Sequence, residues 1–521
     1  MGHARGAGRR AAARARVRLR PRRAGPAVNP RTAGAGDSRA AGSPDSGAPG
    51  SPHTAAAAGS PTGAPRRCPS ADPGGPATRQ PAGDGTAPPR RPGEGRVSPR
   101  RPGWGGGLPR DFRLLWIGQT TSRLGSSVSA VALPLVAVAT LGAGPLEAGM
   151  LAAASWLPWL LIGLPAGAWV DRLPRRPVML ACDAVSCALF LSVPVAAWCG
   201  VLAIGHLLVV AFLSGISAVF FQTASYAYLP GLLPADELAR GNARLVGGES
   251  AANIAGPGVA GLLAQAASAV AGVLADAASF LVSAVLLTRI RTAEAPRPRA
   301  DRTGLRREIA DGLRFVAADP YLRVLTAVGA TGNLALTGYQ SVLVVFLVRV
   351  VGVSPGAVGF LIAGMSAGGV IGAFGATRVT RRFGTARGLL LCQLGTAPFG
   401  LLIPLAGPGW RLSFAVAGGA VVIAGVTAGN VIKGSFRQAY VPSHLLGRVI
   451  VSMQFLNYGT IPVGALAAGA LGAALGVRPT MWITTGLLAV FGLILLIGPL
   501  HRRPDLPVRP EDEPRQFASS E

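Results

Sequence analysis

The sequence predicts an all-α integral membrane protein. It is expected to have twelve transmembrane helices in two six-helix pseudo-repeats, preceded by a disordered N-terminal extension. Three observations predict this. Half of the 521 residues are apolar, only 14% are charged and the mean hydropathy is +0.42, whereas a soluble chain carries about 25% charged residues. Apolar runs of about 20 residues, long enough to cross a bilayer as helices, recur along the chain. Arginines gather in every second joint between those runs, the asymmetry that orients membrane proteins.

Residues 1–110 hold 20 Arg and 5 acids, so more than half of the +27 net charge lies before the first span. This stretch consists of Ala, Arg, Gly, Pro, Ser and Thr with no apolar period. It cannot bury enough surface to offset chain entropy and is read as disordered. Arginine pairs such as Arg9–Arg10 and Arg66–Arg67 suit acidic lipid or nucleic acid by charge alone. Two readings stand: a solvated tail, or sequence upstream of a start near Val97. No apolar core follows the arginines, so it is not read as a signal peptide. The five cysteines show neither metal-site nor disulfide spacing.

The twelve spans are placed at 113–141, 146–170, 178–199, 202–228, 241–267, 270–289, 321–349, 355–378, 386–406, 412–434, 447–473 and 477–499. Backbone amides in lipid must bond internally, so each run is a helix. The runs are continuous rather than alternating, which excludes a transmembrane barrel. With the N-terminus in the cytoplasm, the inner joints hold Arg172, Arg175, Arg176, Arg240, Arg244, Arg378, Arg381, Arg382, Arg387, Arg437 and Arg448. The outer joints hold only Arg349, Arg411 and Arg478. Both termini are therefore expected in the cytoplasm.

The predicted organisation is an extension at 1–110, a first half at 111–289, a cytoplasmic linker at 290–320, a second half at 321–500 and a cytoplasmic tail at 501–521. In the linker, Leu305, Ile309, Leu313 and Val316 share one helical face and predict an amphipathic helix on the inner membrane surface. The halves echo each other. Pro145 and Gly149 match Pro355 and Gly359 at an offset of 210, and Pro234, Leu238 and Arg240 match Pro442, Leu446 and Arg448 at 208. Two parallel halves place a substrate site at the midplane between them, exposed to alternate sides as the halves rock.

The joint GAWVDRLPRRP at 167–177 places Gly167, Asp171, Arg172, Arg175 and Arg176 together. It resembles the signature joint of the major facilitator superfamily, and GATRVTRRFG in the second half resembles its degenerate copy. IAGPGVAGLL in span five, with Gly256, Pro257 and Gly261, resembles the glycine–proline motif of the superfamily's exporters. Physically, small residues let helices touch and the proline bends one of them. WIGQTTSRLG, YLPGLLPADELARGNA, DAASFLVSAVLL, DGLRFVAADPYLR and VPSHLLGRVIVSM resemble the branch of macrolide efflux proteins and the enterobactin exporter. The resemblance covers about 110–500.

The resemblance implies the major facilitator fold and proton-driven export of a small amphipathic compound, drug-like or siderophore-like. It makes Asp171 and its arginines a gate between the halves. It also implies a cavity lined by spans one, four, seven and ten, where Gln119, Arg123, Phe220, Phe221, Gln222, Tyr226, Asn333, Tyr339, Gln340 and Asn430 are the polar and aromatic candidates. Span four lacks the arginine that many proton antiporters of the superfamily carry, which weakens the case for protons. An importer of the same fold and a non-transporting receptor or scaffold are the alternatives.

Ionisable groups at lipid depth are functional candidates by default. Asp183, Glu249 and Asp276 fall inside the predicted spans, whereas the other acids lie in joints, near surfaces or, like Glu147, at a span end. Glu249 is the expected proton site, with burial raising its pKa. Asp276 is the second candidate, or a helix cap. Asp183 is expected to pair with Arg175 and Arg176. Arg123 faces either an acid or an anionic substrate, and Lys433 and Arg437 are expected to snorkel. No phosphate-cradling loop, HExxH, GxSxG or strand-bound GxGxxG occurs, so no enzyme, cofactor or metal is expected. The expected partners are substrate, protons and the bilayer, with no nucleic acid and a monomeric chain.

Overall fold

A computed structural model of the chain describes residues 108–170, 172–292, 305–497, 500 and 504–507. Residues 1–107 of the predicted N-terminal extension, Asp171 and residues 293–304 of the predicted linker lie outside the described residues, as does most of the C-terminal tail. All regular structure among the described residues is helical. It comprises α1 (Arg110–Leu135), α2 (Pro145–Val170), α3 (Arg175–Trp198), α4 (Ile204–Leu232), α5 (Leu238–Ala266), α6 (Ala269–Thr288) and α7 (Leu305–Ala318), then α8 (Pro320–Val345), α9 (Pro355–Phe383), α10 (Thr385–Leu394), α11 (Leu412–Tyr440), α12 (Ser443–Leu475), α13 (Val477–Phe491) and α14 (Ile494–Ile497).

Among the described residues eleven helical segments are long and apolar enough to cross a membrane, one fewer than the twelve predicted. The exception is α5. It is 29 residues long, but Arg240, Arg244 and Glu249 dilute its first half. Span nine is built from α10 and a 3-10 segment, Ala397–Leu405. Pro398 and Pro404 interrupt that run, each removing a backbone donor. Large apolar side chains such as Trp198, Ile371, Phe374 and Ile497 point outward and are mostly exposed, as lipid contact requires.

The repeat seen in the sequence is also a repeat of backbone. α1 runs into a π-helical turn at Val136–Thr140, and α8 into one at Phe346–Val350. Gly142 and Gly352 follow with φ of +67° and +81°. α2 and α9 then begin at Pro145 and Pro355. All three features keep the offset of 210. In the first set α1 packs on α5 and α6, α2 on α4, and α3 on α4 and α6. In the second α8 packs on α12 and α13, and α9 on α11. Between the sets, α2 packs on α12 and α5 on α9.

Polar side chains tie the helix ends where the arginines gather. Asp319 caps α8, its Oδ1 accepting from the Tyr321 and Leu322 amides at 2.9 Å each, with Pro320 pre-set at the first helical position. Tyr440 at the end of α11 donates to its other oxygen at 2.7 Å. Asp111 Oδ2 accepts from the amides of Arg291 and Thr292 at 3.0 and 2.9 Å, joining the start of α1 to the end of α6. The amphipathic α7 packs on α12, where Gly312 meets Arg448 and Ser452 and Val316 is buried.

Inside the first set, α1 and α6 approach through Gly125. A Cβ there would lie 2.4 Å from Asp276 Oδ1 and 2.7 Å from Ser279 Cβ. Overpacking of this kind costs about 1–3 kcal/mol. Gly125→Val is therefore expected to lower the melting temperature of the detergent-purified protein by several degrees, read by scanning fluorimetry. An unchanged melting temperature would show that the two helices separate freely.

Candidate functional site

Cavities open among the described helices, and two of them carry convergent polar side chains. Both lie in the half of the molecule where α1 and α8 begin. The smaller, about 50 Å³, is lined from α1 by Gln119, Thr120 and Arg123. α4 adds Phe221, Gln222, Ser225 and Tyr226, and α5 adds Asn242, Leu245, Val246 and Glu249. Each set falls at three- and four-residue spacing, so each helix presents one face. Arg123 Nη1 lies 4.0 Å from Glu249 Oε1, the one ion pair among the described residues. Their side chains are 38% and 43% exposed. Gln119 donates to Ser225, and Gln222 donates to the Tyr226 hydroxyl at 3.3 Å.

The larger cavity, about 250 Å³, lies among α8, α10, α11, α12 and α13. Its polar lining is Asn333, Gln393, Asn430, Lys433, Arg437, Gln454, Asn457 and Tyr458, set against an apolar wall. Asn333 is held by a bond from Nδ2 to the Asn457 carbonyl at 3.2 Å. Tyr458 reaches across to α2, edge-on to Trp156 and Trp159 at centroid distances of 5.5 Å.

At the opposite end of the helices the two sets meet closely. A Cβ on Gly359 of α9 would lie 2.4 Å from Gly261 Cα and 2.5 Å from the Pro257 carbonyl of α5. One on Gly149 of α2 would lie 2.5 Å from the Ala465 carbonyl and 2.9 Å from Gly469 Cα of α12. Gly149 and Gly359 are the repeat-related pair. Backbone thus touches backbone on both sides of the pseudo-dyad, with the cavities beyond.

The predicted cavity residues divide. Gln119, Arg123, Phe221, Gln222 and Tyr226 line the smaller cavity, and Asn333 and Asn430 the larger. Three lie outside both. Phe220 stacks on Trp169 at 6.0 Å. Tyr339 is 1% exposed, packed in the apolar core. Gln340 is on the exposed side of α8.

Among the acids, Glu249 is half-exposed to a cavity and not buried as expected. Asp276 sits in the third turn of α6, which begins after Ser268, so it does not cap that helix. It is fully buried and accepts from the Ser279 hydroxyl at 3.1 Å. Asp183 is also buried and is not ion-paired with Arg175 or Arg176. Arg176 donates instead to the Leu287 and Thr288 carbonyls at 3.0 and 2.7 Å, satisfying the open end of α6.

In the predicted gate, a Cβ on Gly167 would meet nothing within 4 Å among the described residues, so no close approach to a described helix explains that glycine. Arg172 is exposed. The glycine–proline motif is at contacts throughout. Gly256 lies against Ser127 of α1, and Pro257 and Gly261 lie against Gly359 and Gly356 of α9. Sequence reasoning missed Gly469 as the partner of Gly149, although the small-residue run GALAAGALGAAL marks that face of α12. It also missed Tyr458, and the cavity position of Lys433 and Arg437.

The transmembrane secretion effector family, a group within the major facilitator superfamily, matches residues 108–515. The multidrug efflux pump Tap of Mycolicibacterium fortuitum is 29% identical over 410 residues, covering 76% of this chain and 98% of its own. Macrolide efflux protein A of Streptococcus pyogenes is 26% identical over 152 residues, 29% of this chain and 37% of its own. The solved structure of the nucleoside transporter NupG aligns with a TM-score of 0.61 at 11% identity, covering 76% of this chain and all of that one.

Proposed function

Since the chain belongs to the transmembrane secretion effector family of the major facilitator superfamily, we propose that it exports a small amphipathic compound across the bacterial inner membrane by alternating access. The carrying observation is the placement of two cavities on one side of two repeat-related glycine contacts. Such a molecule is closed at one end and open at the other. Rocking of one six-helix half against the other reverses it. Relatives named as efflux pumps support the outward direction.

On this reading α5 is the twelfth span. Glu249 lines a cavity and does not face lipid, which explains how a span tolerates it, while Arg240 and Arg244 belong to the proposed cytoplasmic end of the helix. The halves are 111–289 and 321–500, with the arginine-rich end and both termini in the cytoplasm. The cavities then open inward. Protons are the proposed counter-ion, with Glu249 as their site and Arg123 as its partner. The Asp171 cluster with Arg172, Arg175 and Arg176 is the proposed cytoplasmic gate.

Cells expressing the chain are expected to hold several-fold less ethidium or tetracycline than cells with an empty vector, and collapse of the proton gradient should abolish the difference. Greater accumulation in expressing cells would identify an importer instead. Equal accumulation across a broad panel of drugs and siderophores would remove the export reading.

A further inference from the structure

The larger cavity holds a charge pattern that proton-driven export leaves unused. Asn430, Lys433 and Arg437 follow one another at three- and four-residue spacing and line it from a single face of α11. Among the described residues, no carboxylate lines this cavity. The ion pair among the described residues, Arg123 with Glu249, belongs to the smaller one. Arg437 Nε is buried and has no hydrogen-bond partner.

Two cations four residues apart in a poorly hydrated cleft repel each other and lose hydration. An anion held between them relieves both penalties. Snorkelling accounts for cations whose heads reach the membrane surface, whereas these two line a cavity beside the amides of Gln454 and Asn457. Those amides supply further donors. Met453, Leu488 and Phe491 supply an apolar wall facing them. In contrast, the smaller cavity carries one charge of each sign.

We propose that the larger cavity is an anion subsite, in which Lys433 and Arg437 bind the carboxylate of an amphipathic organic acid while its apolar body lies against Met453, Leu488 and Phe491. This rests on the reading of the chain as a transporter of amphipathic compounds and gives that reading a substrate class. The volume of about 250 Å³ sits just below the range of about 300–1,000 Å³ typical of drug-sized ligands, so a bicyclic aromatic acid is a fitting probe.

The test is equilibrium binding of 2-naphthoate and of its cationic counterpart 2-naphthylmethylammonium to the full-length protein in phosphatidylcholine nanodiscs. Naphthoate is expected to bind about tenfold tighter than the amine, a discrimination that one charged contact supplies. Lys433→Gln is expected to remove that preference and flatten its dependence on salt. Lys433→Arg keeps the charge and is expected to keep the preference, which separates lost charge from lost fold. Arg349→Gln, at the other end of α8, is expected to leave binding unchanged.

Equal affinity for acid and amine in the native protein would overturn the proposal, as would native affinity for naphthoate in both Lys433→Gln and Arg437→Gln. Displacement of naphthoate by phosphatidylglycerol in the nanodisc would assign the cations to a lipid phosphate and overturn it too. None of these readouts involves flux. A chain that binds naphthoate selectively but moves no drug would overturn the export reading alone.

Discussion

Gly359→Val is expected to reduce transport by at least about tenfold while leaving the protein in the membrane in native amount. Backbone contact at this point leaves no room for any side chain. A Cβ would lie 2.4 Å from Gly261 and 2.5 Å from the Pro257 carbonyl, and overpacking by a β-branched residue costs about 1–3 kcal/mol. Here that penalty falls on one conformation. On the proposed alternating-access cycle, the contact of α9 with α5 seen here belongs to the form closed at this end, and the two helices separate in the other form. A penalty of this size shifts a two-state equilibrium by about one to two powers of ten, enough to hold the transporter with this end open. Gly375→Val provides the internal control, because a Cβ on Gly375 in the same helix meets nothing within 4 Å.

The measurements are drug accumulation and labelling by an impermeant thiol reagent. A cysteine at Gln265, whose side chain packs on Gly356, should label faster in Gly359→Val than in an otherwise native, thiol-free background. Gly149→Val should behave alike, because Gly149 makes the repeat-related contact with Gly469. Native transport in both glycine variants would show that neither contact closes a gate.

The helices were legible because a bilayer leaves a chain little choice. Each predicted span except the diluted α5 reappears as a helical segment long and apolar enough to cross a membrane. The cavity was legible in part for the same reason. Polar groups such as Gln119, Arg123 and Gln222 are expensive in lipid and must face a partner or water. What failed was rotation about the helix axis. Phe220 and Phe221 are adjacent in sequence and so differ by about 100° around α4; one stacks on Trp169 and the other lines the cavity. Tyr339 shares α8 with Asn333 but lies six residues on, about 240° around the helix, and it is buried in the core. Lys433 and Arg437 were misread because their position near a helix end fits snorkelling as well as it fits a cavity. The glycine contacts depended on which helix of one half meets which helix of the other. Spacing within one half cannot supply that, although the shared offset of Gly149 and Gly359 marked both positions.

Glu249→Gln is expected to abolish transport driven by a proton gradient while sparing exchange driven by the substrate's own gradient. An ion pair at 4.0 Å between half-exposed side chains contributes little to stability, about 0–1 kcal/mol. Its loss should not unfold the protein. Its geometry nevertheless suits a switch. A carboxylate that faces a cavity is open to proton exchange with water. A neutral Glu249 no longer holds Arg123, so on the proposed cycle the pair parts as the halves rock. That is the coupling that antiport requires. In everted vesicles, gradient-driven uptake by Glu249→Gln is expected to fall at least about tenfold, with counterflow within about threefold of native. The reversed pair, Arg123→Glu with Glu249→Arg, separates the two roles of these residues. A purely structural pair would recover full function on reversal. A proton site would not, because reversal moves the carboxylate from α5 to α1. Native gradient-driven uptake in Glu249→Gln, or full recovery in the reversed pair, would leave the proton with another carrier. The buried Asp276 and Asp183 would then be the next residues to change.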